Sequence, residues 1–281
     1  MLLLALDTST RQASIALCSE SDLYGEYTWH VGNNHSVELL ENVRRLVAEC
    51  QVRLPQIDAV AVATGPGSFN GVRVALATAK ALAFSLGKSL VGVSTLDILA
   101  ARQQHWPGPV CAVLEAGRSE LYAACYRFDE QRSSSGDITY GMRRQSDYLL
   151  LAPQQLASYL QEQAGGWRAE SEDTQRKPLL FCGELSVASR QALCASVYTS
   201  MQEECRFVCG MQASRQASVL AMLALQRLHE GKVDDPLVLE PLYLRRPSIT
   251  KSARKQPLLD GGTQSRTDQT TTEREEGALR H

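Results

Sequence analysis

Three kinds of motif are missing from this chain of 281 residues: a CxxC pair, an H-x-x-x-H or H-E-x-x-H pair, and a Gly-x-x-x-x-Gly-Lys-Ser/Thr loop. Each absence removes a class of function. The eight cysteines (Cys18, Cys50, Cys111, Cys125, Cys182, Cys194, Cys205 and Cys209) are scattered. Cys205 and Cys209 stand four apart, but no histidine or further cysteine completes a zinc set. Cysteines such as Cys111 in VCAVL and Cys182 in LLFCG read as small buried hydrophobes in a reducing compartment. The histidines are His30, His35, His105, His229 and His281. The spacing of His30 and His35 aligns them on neither a helix face nor a strand face, so no metal site is expected. His35 instead reads as a helix-start residue. A formal net charge of −2 gives no electrostatic footprint for direct nucleic-acid capture. No apolar run approaches the roughly 20 residues that span a bilayer. The opening MLLLALDTST lacks the charged region and cleavage site of a signal peptide. The expectation is a cytoplasmic protein without a membrane partner.

What is present is a globular composition, 44% hydrophobic and 21% charged. Residues 2–6, 14–19 and 23–30 read as a three-strand meander with its first turn at 7–13. Leu39, Leu40, Val43, Leu46, Val47 and Cys50 recur at helical spacing and predict a helix over 36–50. A buried strand at 57–63 runs into TGPGSFNG, then a helix to Leu86 that Gly87 ends. A strand at 90–93 follows, and Ser94 opens a helix over 96–101 with Asp97 as its capping-box partner. After a hinge at 105–109 the pattern restarts, with strands at 110–114 and 120–128. A polar loop (129–145), a helix (153–163), a second loop (165–177), a strand (178–182) and a terminal helix (217–230) complete it. The expected architecture is α/β, with mixed sheets flanked by helices. The expected division is one lobe over 1–104, a second with the terminal helix over 107–246, and a disordered tail over 247–281, which is poor in aliphatic residues.

The loop TGPGSFNG is neither a Walker A loop nor G-x-G-x-x-G, and Pro66 and Asn70 bar Ser68 from being a nucleophile elbow. A tight structural turn is the favoured reading. A phosphate cradle, with Gly65 and Gly67 beside Asp7, is the alternative. The turn Asp7-Thr8-Ser9-Thr10 is rich in residues that bond their own backbone, which explains it without function. The helix after the loop carries only Arg73 and Lys80 as charges and is apolar nearly all round. It needs burial on two sides, either inside its own core or against a second chain. The interface reading is preferred. The basic group Arg245, Arg246, Lys251, Arg254 and Lys255 reads as a solvated tail.

In order, LALDTST, SIAL, HSVELL, AVATGPGSFNGVRVALATAKALAFSLG, LVGVSTLDILA, VLEAGRSELYAACY and PLYLR resemble the TsaB (YeaZ) family, paralogous to TsaD. The resemblance is dense over 1–128 and looser over 150–246. Asn70 and Glu115 depart from the usual Thr and Asp. The resemblance implies an ASKHA (actin/hexokinase/Hsp70-like) fold of two lobes. It also implies a part in making N6-threonylcarbamoyladenosine (t6A) at position 37 of tRNAs that read ANN codons. TsaD-like chains carry a Gly-Val-Asn-His-x-x-x-His metal motif, where this chain has Gly92-Val93-Ser94-Thr95-Leu96-Asp97-Ile98-Leu99. Thr95 and Leu99 stand at the ligand positions, and leucine ligates nothing.

The family resemblance therefore implies a non-catalytic subunit with no catalytic residue, cofactor or metal of its own. Its partner is a TsaD-like catalytic subunit, with a TsaE-like ATPase docking on that pair and tRNA contacted only indirectly. A homodimer through the same helices is the other implied assembly. The interface residues are taken as Val37, Leu40, Arg44, Arg73, Ala77, Lys80 and Ala81. Asp7, Gly65 and Gly67 are the weak nucleotide candidates. The rival functions are an ATP-binding kinase or ATPase of the same superfamily, which Asp7 and the glycine loop favour, and a metallopeptidase, which the missing histidine pair opposes.

Overall fold

Strand β1 (Leu3–Asp7) is buried along its whole length, and its side chains divide between two cores. Leu3 and Ala5 face one core while Leu4 and Leu6 face the other. Strand β4 (Ala59–Ala63, sequence AVAVA) repeats the division, with its alanines on the first side and its valines on the second. Such unbroken apolar runs belong to strands covered on both faces. Strands β2 (Gln12–Cys18) and β3 (Leu23–His30) complete the meander, and β5 (Ser89–Val93) pairs parallel to β4. The sheet order is β3-β2-β1-β4-β5.

The computed structural model describes residues 1–32, 35–132, 138–169, 177–201, 205–208 and 210–245. Residues Met1–Arg246 form one compact unit. The expected tail over 247–281, with Lys251, Arg254 and Lys255, lies outside the described residues, as do Arg246 and His281.

The second sheet repeats the first. Strands β6 (Val110–Gly117), β7 (Glu120–Arg132) and β8 (Ile138–Arg144) form an antiparallel meander. Strand β10 (Leu179–Cys182) runs parallel to β6, and β11 (Cys205–Phe207) runs parallel to β10. The short β9 (Leu149–Leu151) pairs with β7 off this path. The order β8-β7-β6-β10-β11 matches that of the first sheet strand for strand. The helices match too. Helices α1 (His35–Glu49), α2 (Phe69–Leu86) and α3 (Thr95–Ala101) follow β3, β4 and β5, while α4 (Pro153–Ala169), α5 (Val187–Met201) and α6 (Ala217–His229) follow β9, β10 and β11. This duplicated topology is the ASKHA architecture.

Helices α1 and α2 cover one face of the first sheet through Leu39, Val43, Leu46, Val47, Leu76, Ala79 and Ala83. Burying a Leu or Val side chain contributes roughly 1.5–3 kcal/mol, enough to fix this pair of helices on the sheet. Helix α2 begins at Ser68, whose hydroxyl accepts from the Gly71 amide, and ends at Gly87 in the left-handed region, with the Lys88 amide donating to the Ala83 carbonyl. The other face carries α6, whose small residues Ala217, Ala221 and Ala224 lie against the alanines of β1 and β4. Sequence order had placed α6 with the second lobe, but it packs on the first sheet. Helix α3 makes the reciprocal contact, with Leu96, Leu99 and Ala100 in the core of the second sheet.

Several local expectations need correction. The stretch 129–145, read as a polar loop, holds the end of β7 and all of β8, paired from Tyr126↔Arg144 to Arg132↔Ile138. As an edge strand largely open to solvent, β8 does not need an apolar sequence. Helix α4 runs past Gly165 and Gly166 to Ala169. Helix α5 and β11 were not foreseen, since α5 lacks a single apolar stripe and β11 is three residues long.

Candidate functional site

Between the first hairpin and the second sheet lies a cleft of about 850 Å³, lined among others by Thr10, Gly67, Ser68, Glu115, Glu184 and Arg190. The glycine loop closes one side by pressing directly on the hairpin backbone. The Ser68 amide donates to the Ser9 carbonyl (2.6 Å), and the Thr8 hydroxyl donates to the Gly71 carbonyl (2.7 Å). A Cβ on Gly67 would lie 2.1 Å from the Ser9 carbonyl oxygen, and one on Gly71 would lie 2.0 Å from that of Thr8. Close backbone approach therefore explains these two glycines. The structural-turn reading of TGPGSFNG accounts for the loop, with the Gly65 carbonyl accepting from the Thr95 amide (2.8 Å).

Asp7 sits at the end of β1, 1% exposed. One oxygen accepts from the amide and hydroxyl of Ser9 (2.8 and 2.5 Å). The other accepts from Nε of Arg215 (2.7 Å), a residue that is itself 2% exposed. Burial disfavours the Arg215 charge, but the carboxylates of Asp7 and Glu184 outweigh it and raise its affinity for the proton. Glu184, just after β10, pairs with Nη1 of Arg215 and accepts from the Thr10 hydroxyl (2.7 Å). Nothing local in the sequence marks Arg215, because its partners are up to 208 positions away. Glu115, the departure from the resembled pattern, accepts from the Ser186 amide (2.8 Å) across the second sheet.

At the positions of the absent histidines, Thr95 and Leu99 are buried, and Leu99 packs in the core beside Val110. Asp97 was expected to complete a capping box. Ser94 does cap α3 through the Leu96 amide, but the Asp97 carboxylate accepts from the hydroxyls of Tyr126 (2.7 Å) and Tyr148 (3.0 Å) on the second-sheet side. Burial pushes the Asp97 carboxyl above its ordinary 3.8, against the tyrosine hydrogen bonds and the charges of Arg144 and Arg227. Burial, and then the Asp97 charge, push Tyr148 up to about 12. A raised carboxyl pKa means that the folded state binds more protons than the unfolded one above 3.8, so Asp97 lowers stability as pH rises through its folded pKa. Asp97→Asn keeps an acceptor for the tyrosines but cannot ionise. Urea unfolding from about pH 4 to pH 7 should decline less steeply with pH in that variant, and an unchanged slope would contradict this assignment.

The seven interface candidates lie on neighbouring helices of the first lobe. Val37 (66% exposed) and Leu40 (53%) project from α1, where Arg44 is tied to Glu41 by a 2.6 Å ion pair. Ala77 and Ala81 are exposed on α2, Lys80 is half-buried, and the Arg73 guanidinium lies 4.9 Å from the centre of the Phe69 ring. Phe84, 74% exposed, belongs to the same helix surface and was not singled out from sequence. Among the described residues, no group of three or more His, Cys, Asp or Glu could hold a metal ion, and no helix is long and apolar enough to cross a membrane.

Residues 30–252 match the family model of TsaD, the tRNA N6-adenosine threonylcarbamoyltransferase. The tRNA threonylcarbamoyladenosine biosynthesis protein TsaB of Haemophilus influenzae is 31% identical over 185 residues, covering 62% of this chain and 76% of that one. TsaB of Escherichia coli is 30% identical, covering 59% and 69%. TsaB of Bacillus subtilis is 36% identical over 128 residues, but the chain spans only 56% of that relative's length and 46% of its own. The solved structure of YeaZ from Pseudomonas aeruginosa superposes with a TM-score of 0.63 at 26% identity, covering 86% of this chain and 99% of that one.

Proposed function

Because this chain belongs to the TsaB (YeaZ) family, a paralogue of TsaD, we propose that it serves t6A formation as a non-catalytic subunit. Its substrate-level target is adenosine 37 of tRNAs that read ANN codons, reached through a TsaD-type transferase that it binds and supports. The observation that carries this reading is the surface shared by α1 and α2, where Val37, Leu40, Ala77, Ala81 and Phe84 stand exposed on one rigid lobe. A group of exposed apolar side chains on neighbouring helices favours a protein partner, and alanines allow close helix approach. Arg44, Arg73 and Lys80 supply a charged rim. In the absence of the transferase the same face pairs two copies of the chain. A TsaE-type ATPase joins through the heterodimer, and tRNA is met through the transferase in the cytoplasm.

The reading as an independent ATPase is opposed by Asp7, both of whose oxygens are already engaged by protein groups. The reading as a metallopeptidase is opposed by Thr95 and Leu99 in place of ligands.

Reconstitution with the cognate TsaD-type and TsaE-type proteins, omitting each in turn from a tRNA modification assay, tests the proposal. Omitting this chain should lower t6A formation sharply. The chain alone should give no product. Product from the chain alone, or full activity without it, would overturn the reading.

A further inference from the structure

Arg215 has no role in the partner reading, yet among the described residues it is one of the largest side chains to be almost fully buried. It precedes α6 and reaches two separate segments. Nε donates to Asp7 Oδ2 (2.7 Å), Nη1 pairs with Glu184 Oε1, and Nη2 donates to the Thr10 hydroxyl oxygen (2.9 Å) and the Gln12 carbonyl (2.8 Å). Asp7, Thr10 and Gln12 belong to the first hairpin, and Glu184 follows β10 in the second sheet. The guanidinium therefore links residues on both walls of the cleft.

The acceptors around it are two carboxylates, a hydroxyl and a peptide carbonyl, all oxygen. Without the arginine, that set has the hard-oxygen character that divalent cations favour. The buried Asp7 carboxylate and the partly exposed Glu184 carboxylate would also repel each other unless a positive charge lay between them. Arginine suits the position because its planar fork keeps its charge when buried and satisfies several acceptors at once.

We infer that Arg215 is a resident cation: it fills the oxygen cage formed by Asp7, Thr10, Gln12 and Glu184, thereby excluding a metal-bound anion from Asp7 and fixing the two walls of the cleft without any ligand. Thr10, Gln12 and Glu184, which line the cleft of about 850 Å³, are thereby tied to one side chain. Here one side chain holds the two walls together without a bound ligand. The scaffold then presents α1 and α2 in a single geometry whatever the nucleotide concentration. This inference does not rest on the identity of the partner, and its tests use the isolated chain.

Two measurements decide it. Hydrogen exchange is compared for the wild type, Arg215→Lys and Arg215→Ala. The amides of residues 7–12 and 183–186 should exchange faster together in Arg215→Ala, by at least about tenfold, with those of α2 and β5 unchanged. Arg215→Lys keeps the charge but not the fork and should fall between. Unchanged exchange, or acceleration confined to one of the two segments, would contradict the bridging role. The second measurement is calorimetric titration of the wild type and Asp7→Asn with Mg²⁺ alone and with Mg²⁺ and ADP. No binding that depends on Asp7 is expected. Saturable binding by the wild type that Asp7→Asn abolishes would show that the cage is open to metal and would overturn the inference. If Arg215→Ala does not fold, Arg215→Lys and the wild-type titration still decide.

Discussion

Ala81→Glu should abolish co-elution of this chain with a TsaD-type transferase while leaving the free chain folded. Ala81 lies on the outer surface of α2, so the monomer accepts the longer side chain in water. Ala and Glu differ little in helix propensity, by a few tenths of a kcal/mol. In the proposed complex the same position lies where helices approach closely, and glutamate would bring a carboxylate into a dry seam with nothing assigned to neutralise it. An uncompensated buried charge costs about 3–5 kcal/mol, which is at least a hundredfold in affinity. Ala77→Asp, one turn earlier on the same surface, should behave alike. Size-exclusion chromatography of the mixed proteins reads the loss, and circular dichroism of the free variants confirms the fold. Unchanged co-elution of both variants would place the interface elsewhere.

Gly71→Ala should destabilise the first lobe severely, by about 3 kcal/mol or more, because overpacking against backbone has no inexpensive relief. The added methyl carbon would sit 2.0 Å from the Thr8 carbonyl oxygen. Relieving that contact means separating α2 from the hairpin, which also breaks the Thr8 hydroxyl bond to the Gly71 carbonyl. Gly87→Ala makes the useful contrast. Its Cβ would meet nothing within 4 Å, so its cost is limited to the left-handed backbone, about 1 kcal/mol. Urea unfolding of the two variants should therefore rank Gly71→Ala far below Gly87→Ala. Equal losses would mean that the close approach to Thr8 is not what Gly71 provides.

The parts of the fold that sequence exposes most plainly are those whose burial is local and periodic. Leu39, Val43 and Leu46 announced α1, the alternating AVAVA announced β4, and Gly87 marked the end of α2. The parts that stayed hidden depend on distant neighbours. An edge strand such as β8 needs no apolar face, so ITYGMRR passed for a loop. Nothing in the sequence of α6 says that it folds back onto the first sheet rather than staying with β10 and β11. Asp97 satisfied the spacing of a capping box, yet two tyrosines from the second sheet reach it. Spacing within one helix cannot foresee that competition.

The candidate site divides in the same way. TGPGSFNG was legible as a tight turn, and its glycines do serve the approach to Thr8 and Ser9. Asp7 was legible as a polar turn residue and a weak nucleotide candidate, but not as an ion-pair partner, because Arg215 lies across most of the chain. A second apolar side was legible from an α2 sequence too apolar for one buried side, and Ala77 and Ala81 stand exposed on it. Phe84 was overlooked because alternating alanines and larger residues do not say which of the larger ones faces out.

The most direct test of the account is hydrogen exchange of this chain, as the monomer at high dilution and in complex with its TsaD-type transferase. Protection confined to the amides of 37–48 and 69–86 is the predicted result. Protection centred on the second sheet, with α1 and α2 exchanging as they do in the monomer, would contradict it.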